Sequence, residues 1–220
     1  MVLEDQHRGR DMKHILCFGD SNTHGYRPDT FDDRYDYEDR WTIRLGGLLG
    51  SGYHIIEDGL NGRTTVFNDP FKPGKRGIDD VYNISITHKP LDLVIIMLGT
   101  NDTKQVFGAT TKSIAYGLGM LVMKFQEYAN EIGNPKILIV SPIHIEPGID
   151  TGVFENFDIS AHYKSLEFAS YFRHTAEKLG CAFFDAATVA HAGEDCLHMT
   201  KESHDALARA LSPVVRELLG

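Results

Sequence analysis

Three cysteines, Cys17, Cys181 and Cys196, are all that the 220-residue chain contains. The number is odd and no pair lies at metal-ligand spacing, which argues against a disulfide framework or a zinc ribbon and suggests free thiols in a reducing compartment. Positive charge is also in short supply, with 22 Lys and Arg against 31 Asp and Glu and a net charge of −9. That balance argues against a chain that tracks nucleic-acid phosphates or an anionic membrane surface. Long apolar runs are missing: the longest, Leu93 to Leu98, falls far short of the roughly 20 residues needed to cross a bilayer. The first twelve residues, MVLEDQHRGRDM, hold no apolar stretch of the kind an export signal needs. They read as a flexible N-terminal segment, and the protein as cytoplasmic. Neither the lysine-bearing phosphate loop nor the GxGxxG pattern occurs, which weighs against nucleotide binding. No repeat, low-complexity tract or linker interrupts the chain, so residues 1–220 read as one domain.

What is present is an ordinary globular composition, 42% hydrophobic and 24% charged, in a chain long enough to build its core without covalent staples. Five short apolar runs recur at strand length: 14–18 (HILCF), 53–56 (YHII), 93–98 (LVIIML), 137–140 (ILIV) and 181–184 (CAFF). Between them, residues 41–49, 78–88, 112–132, 161–179 and 201–219 carry apolar side chains at three- and four-residue spacing, the period of helices with one buried face. Alternation of this kind predicts βαβ units around a parallel sheet, an α/β architecture of three layers. LVIIML and ILIV are continuously apolar, as strands covered on both faces must be, and are expected at the centre. Residues 27–40 and 68–77 read as polar loops. Ligands in such sheets bind beyond the carboxyl ends of the strands, so polar clusters there carry the functional question.

Four such clusters follow the strands. Gly19-Asp20-Ser21-Asn22-Thr23-His24-Gly25 offers a serine hydroxyl in a tight, glycine-flanked turn, although Asp20 or Ser21 would equally serve as a helix cap. Asp58-Gly59-Leu60-Asn61-Gly62-Arg63-Thr64-Thr65 includes a glycine, Gly62, that can leave a backbone N–H open to a substrate oxygen or simply satisfy a turn. Gly99-Thr100-Asn101-Asp102 places an amide, Asn101, where it can donate to an anionic intermediate, or cap a helix. Asp195-Cys196-Leu197-His198 can bring a carboxylate and an imidazole together in a turn ahead of the last helix. Together the last pair supplies the base and its orienter that an unreactive serine lacks. Asp185 is a rival carboxylate and His204 a rival base. The remaining histidines, including His144 beside Glu146, lack a full metal-ligand set and read as surface or loop residues.

In this order the clusters resemble the SGNH subclass of the GDSL esterase/lipase family, whose blocks carry Ser, Gly, Asn and His. GDS stands at Gly19-Asp20-Ser21, the second-block glycine at Gly62, the third block at Gly99-Thr100-Asn101-Asp102, and the last at Asp195 and His198. Longer stretches such as ILCFGDS and LDLVIIMLGTNDTK are similar to the arylesterase/acyltransferase branch. The resemblance implies a flavodoxin-like, five-stranded parallel sheet in a three-layer α/β/α sandwich. It implies a lipase-like serine hydrolase with Ser21, His198 and Asp195 as catalytic triad and Ser21, Gly62 and Asn101 as oxyanion hole, needing neither metal nor cofactor and open to homo-oligomerisation. The sequence departs from the family at Asn22, where leucine is usual, and at Thr23-His24-Gly25-Tyr26, where the branch has a tryptophan-bearing stretch. Both departures are expected to alter the acyl pocket.

By their nearness to the blocks, Asp20, Tyr26, Thr100, Lys104 and Leu197 are candidates for substrate contact. The stretch 143–157, with Phe154 and Phe157 and with Pro142 just before it, either walls the pocket, meets another subunit or folds back on the body. A short-chain carboxylic ester, hydrolysed or transferred to an alcohol, is the expected substrate. A carbohydrate O-acetylesterase and a catalytically silent small-molecule binding module are the alternatives.

Overall fold

The structure, a computed structural model, describes residues 12–30, 33–152, 154 and 156–220. Apart from Met12, the N-terminal segment lies outside the described residues. Five strands, β1 (Lys13–Gly19), β2 (Tyr53–Gly59), β3 (Leu93–Met97), β4 (Lys136–Ser141) and β5 (Ala182–Asp185), form one sheet in the order β2-β1-β3-β4-β5. Every pairing is parallel. This is the doubly wound order whose chain reversal falls between β1 and β3, where α/β proteins open a crevice for ligands.

The continuous apolar runs are explained by what each alternate side chain meets. From β1 and β3, Leu16, Phe18, Val94 and Ile96 point into one core with Val81, Ile114, Phe168 and Phe172, supplied by helices α3 (Gly77–His88), α4 (Thr111–Glu127) and α6 (Ile159–Leu179). Their neighbours Ile15, Cys17, Leu93, Ile95 and Met97 enter a second core with Trp41, Leu45, Leu207 and Leu211, from α2 (Trp41–Leu49) and α7 (Lys201–Leu219). With helices on both sides, β1 and β3 have no face left to be polar over these residues. β3 is the middle strand and is wholly buried. β4 is interior too, with only Lys136 exposed. The three cysteines are free, and Cys17 is fully buried in the second core.

Most elements match the expected positions to within two residues. The stretch 112–132 does not: the helix stops at Glu127, Tyr128 takes φ −97° and ψ 6°, and a short α5 (Ala129–Ile132) runs on to Gly133 at φ 104°. The chain must reverse there to enter β4, and a left-handed residue without a Cβ lets it do so. The remaining helix, α1 (Ser21–His24), is a single turn at the end of β1. Among the described residues no helix is long and apolar enough to cross a membrane.

Candidate active site

The turn after β1 is built by close approach. A Cβ on Gly19 would lie 2.0 Å from Thr23 Oγ1, and one on Gly59 would lie 2.1 Å from the His24 backbone nitrogen. Glycine at both positions lets β1 and β2 end flush against α1. Asp20 caps that helix by accepting from the Asn22 N–H at 3.0 Å, and Ser21 becomes its first residue, 6% exposed at the base of a cleft. The hydroxyl oxygen of Ser21 lies 2.8 Å from His198 Nε2. On the far side of the ring, His198 Nδ1 lies 2.6 Å from Asp195 Oδ2.

Asp195 is fixed by its own turn. Cys196 adopts φ 65°, which folds the chain tightly enough for the Leu197 and His198 N–H groups both to donate to Asp195 Oδ1, at 2.9 and 2.8 Å. Burial alone would raise the carboxyl pKa, but the hydrogen bond and charge of His198 and the two N–H donors outweigh it and hold Asp195 below its usual value. It stays ionised through the neutral range. The His198 ring is packed as well as bonded: Tyr26 stacks on it at 4.2 Å, and Phe154 meets it edge-on at 5.5 Å.

Gly62 and Asn101 flank the same cleft. Gly62 sits at φ +84°, and the nearest atoms to a Cβ there belong to the Lys75 stem at 3.9 and 4.0 Å. Asn101 is buried, and its side-chain nitrogen has no hydrogen-bond partner among the described residues. A buried donor left unsatisfied in this way costs stability unless something else accepts its proton.

Three side chains whose roles are invisible in the sequence tie these turns together. Arg63, 3% exposed, donates to the carbonyl oxygens of Gly19 and Asp58 at 2.9 and 2.8 Å and to the carboxylates of Asp58 and Asp80. Its guanidinium lies 4.1 Å over the Phe18 ring. Asp102, fully buried, accepts from the Thr65 N–H at 2.9 Å and from the Thr65 hydroxyl. Asn22 accepts from the Met199 N–H at 2.8 Å and donates to the Leu197 carbonyl at 3.3 Å. The turns bearing Ser21, Gly62, Asn101 and His198 are thereby braced to one another through side chains. Asn22 was expected to alter the acyl pocket, but it is a brace and does not face the cleft. His24 does not line the cleft either.

At two other carboxyls burial outweighs the hydrogen bonds and charges that would lower the pKa. Asp20 is pushed to about 7, chiefly by desolvation, with Asp102 adding to the rise. Asp102 is pushed to about 6, again by desolvation, against the lowering effect of Thr65.

The cleft has a volume of about 580 Å³. Of the residues expected to touch substrate, Tyr26, Lys104 and Leu197 line it, together with Phe154, Asn156 and Phe157 from the stretch after β4. Asp20 and Thr100 do not: both are at most 2% exposed and face inward, Asp20 as a helix cap and Thr100 with its carbonyl accepting from the Thr103 hydroxyl at 2.7 Å. The rivals lie elsewhere. Asp185 caps a single helical turn by accepting from the Ala187 N–H. His204 is fully buried, with its pKa lowered to about 3 mainly by desolvation, and its Nδ1 accepts from the Trp41 N–H. Among the described residues no cluster of three His, Cys, Asp or Glu could hold a metal ion.

Similar proteins share this architecture. A carbohydrate acetylesterase from Sinorhizobium meliloti is 38% identical, with a TM-score of 0.88 over 94% of this chain and 99% of that one. An aryl esterase from M. smegmatis is also 38% identical, at TM-score 0.88, over 94% of this chain and all of the other. An acetylxylan esterase from Xylanibacter ruminicola is 28% identical in an alignment 147 residues long that covers 60% of this chain and 29% of that longer protein. Residues 17–206, from β1 into α7, match the profile of the GDSL-like Lipase/Acylhydrolase family, and the chain belongs to it.

Proposed function

We propose that the protein is a serine esterase that cleaves short-chain carboxylic esters through an acyl-enzyme. The observation that carries this reading is the unbroken hydrogen-bond series from Ser21 Oγ through His198 to Asp195, at 2.8 and 2.6 Å. His198 Nε2 takes the proton as Ser21 Oγ attacks the ester carbonyl, and ionised Asp195 holds the ring and balances the imidazolium. The carbonyl oxygen becomes an oxyanion in front of the Ser21 and Gly62 N–H groups and the Asn101 amide, whose unpartnered nitrogen would there find its acceptor. Collapse expels the alcohol, which receives its proton from His198. Water, or a second alcohol, then attacks the acyl-enzyme with His198 as base, restoring Ser21. Nothing in this cycle calls for a metal or cofactor.

The test is hydrolysis of para-nitrophenyl acetate, butyrate and octanoate, in the presence of a chelator, by the protein and by Ser21→Ala. Loss of about three decades or more in kcat/KM on substitution is the expected result, with the acyl-length trend sizing the pocket. Equal rates would overturn the assignment and favour a silent binding module. A second reading, carbohydrate O-acetylesterase, draws on the acetylesterase and acetylxylan esterase relatives. Faster release of acetate from acetylated xylo-oligosaccharides than from aryl acetates would select it.

A further inference from the structure

The charge of the cleft is opposite to that of the chain. Over the whole protein carboxylates outnumber basic side chains by 31 to 22, yet among the described residues no carboxylate lines the cleft, and its lining includes Lys72, Lys75 and Lys104. Lys104 is spoken for: it is 5% exposed, and its Nζ lies 3.2 Å from Oδ2 of buried Asp69. The other oxygen of Asp69 accepts from the Phe71 and Lys72 N–H groups at 2.9 and 3.2 Å. This ion pair fixes the stretch 68–77 over the cleft and consumes one charge of each sign.

Lys72 and Lys75 have no ion-pair partner among the described residues. The carboxylates near them in the chain are engaged elsewhere, Asp58 and Asp80 by Arg63, Asp79 by Arg76 and Asp69 by Lys104. Lys75 is half-buried and held in place by its backbone, whose carbonyl accepts from the Thr64 N–H at 2.9 Å. Its stem lies 3.9 Å from where a Cβ on Gly62 would stand. Burial, then the like charges of Lys72, Arg63 and Lys104, hold its ammonium below the usual pKa. A desolvated cation among cations is a cost that a bound anion would offset. Tyr26, Phe154, Phe157 and Leu197 supply the apolar part of the lining.

We propose that the ester taken by this site carries a second, anionic group, such as a carboxylate, bound by Lys72 and Lys75 at the mouth while the ester carbonyl lies at Ser21. The inference rests on the serine-esterase reading and names the class of substrate that reading leaves open. The apolar wall packs the body of the substrate, and the two ammonium groups hold its charged end.

The experiment compares anionic esters with their neutral methyl counterparts in two arms. In the first the charge is on the leaving group: para-acetoxybenzoate against methyl para-acetoxybenzoate. In the second it is on the acyl group: phenyl hydrogen adipate against phenyl methyl adipate. Each rate is divided by the rate of hydroxide hydrolysis. In at least one arm kcat/KM should favour the anion by roughly five- to tenfold, the effect of two partly exposed charge pairs. The preference should fall several-fold at about 1 M salt, where the Debye length is about 3 Å, and vanish in Lys72→Gln/Lys75→Gln. Should that variant not fold, salt dependence and inhibition of the unsubstituted protein by para-hydroxybenzoate against its methyl ester decide the matter. No preference in either arm, or one indifferent to salt and to the substitutions, overturns the proposal. Neutral esters cleaved through Ser21 without preference would sink this inference alone. Esters of both kinds left intact would sink the esterase reading with it.

Discussion

The floor of the cleft and its rim are held by different means. On the floor, every turn that carries a polar residue toward the cleft is tied to another turn by a buried side chain: Arg63 to the carbonyl of Gly19, Asp102 to Thr65, Asn22 to Met199. The rim consists of two stretches, 68–77 and 142–157, held mainly by backbone hydrogen bonds and, in the second, by the small apolar cluster of Ile145, Ile149 and Phe157, and it carries exposed side chains such as Phe71 at 68%. Stabilising a transition state needs donors fixed before the reaction starts, because their reorganisation would otherwise add to the barrier. Recognition tolerates a looser frame, since a misplaced contact weakens binding without disabling the chemistry. Substitutions on the floor should therefore act on kcat, and those on the rim on KM.

The largest departure is expected at Asn101. Replacing it with alanine removes a buried donor that has no partner among the described residues and so costs the fold little, while the oxyanion loses one hydrogen bond. Turnover should fall by about two to three decades, or about 3–4 kcal/mol, with the unfolding midpoint nearly unchanged. A large stability loss with a modest fall in kcat would make Asn101 a structural residue and blur the distinction between floor and rim.

Asp20 tests the electrostatic cost of the floor. Its folded pKa of about 7 lies above its ordinary 3.8, so the folded state keeps a proton that the unfolded chain has lost. Stability from this group is full below the unfolded value and declines as pH rises, on the order of 1.4 kcal/mol per pH unit at most, until the folded pKa is passed. Asp102, at about 6, runs in the same direction, whereas Asp195, with its lowered pKa, adds stability above the ordinary carboxylate range and loses it in acid. Urea unfolding from pH 4 to 8 isolates Asp20: the stability of Asp20→Asn relative to the parent should climb between pH 4 and 7 and then level off. A pH-independent difference would mean that Asp20 is ionised in the fold at neutral pH.

Asn22 comes next. Leucine there would leave the Met199 N–H without its acceptor and cut the bridge that the Asn22 amide makes from the Ser21 turn to the backbone on either side of His198. Loss of one buried partner is worth about 1–3 kcal/mol of stability, and kcat should fall about tenfold as the distance from Ser21 to His198 loosens. Aspartate offers an acceptor to Met199 but none of the amide's donors, so Asn22→Asp should recover part of both. Full activity in Asn22→Leu would show that the Asp195 turn holds His198 unaided.

How far this was legible in the sequence follows the same division. Strands such as 93–98 stood out because side chains buried on both faces leave no polar residue in the run, and the glycines around Ser21 marked a tight turn. The floor's polar residues were legible as blocks at strand ends, since each needs a turn as well as a functional group. Their braces were not. Arg63 and Asp102 act on residues 44 and 37 positions away, and nothing local to either marks the partner. Asn22 drew notice only as a departure from leucine, and its contacts with Leu197 and Met199 exist only once β1 and the last turn converge. Asp20 and Thr100, expected at the substrate, lie in the floor because nearness in sequence to a block says nothing about which way a side chain faces. The lysines of 68–77 lacked any period or motif, and their meeting at the cleft depends on the Asp69 to Lys104 pair.

The smallest expected effect is at Phe154 and bears most directly on the rim. Its ring meets His198 edge-on at 5.5 Å and Tyr26 at 6.5 Å, so it covers one side of the imidazole that Tyr26 already stacks upon. An edge-to-face contact of this kind is worth about 0.5–1.5 kcal/mol beyond its buried area. Because the hydrogen bond to Asp195 and the Tyr26 ring both remain in Phe154→Ala, the ring of His198 keeps its orientation, and the loss falls on the apolar wall offered to substrate. KM for aryl esters should rise about three- to tenfold, with kcat within about a factor of two. Should kcat fall instead at constant KM, the edge of Phe154 would be aligning His198 for proton transfer, and the boundary between floor and rim would have to be drawn beyond it.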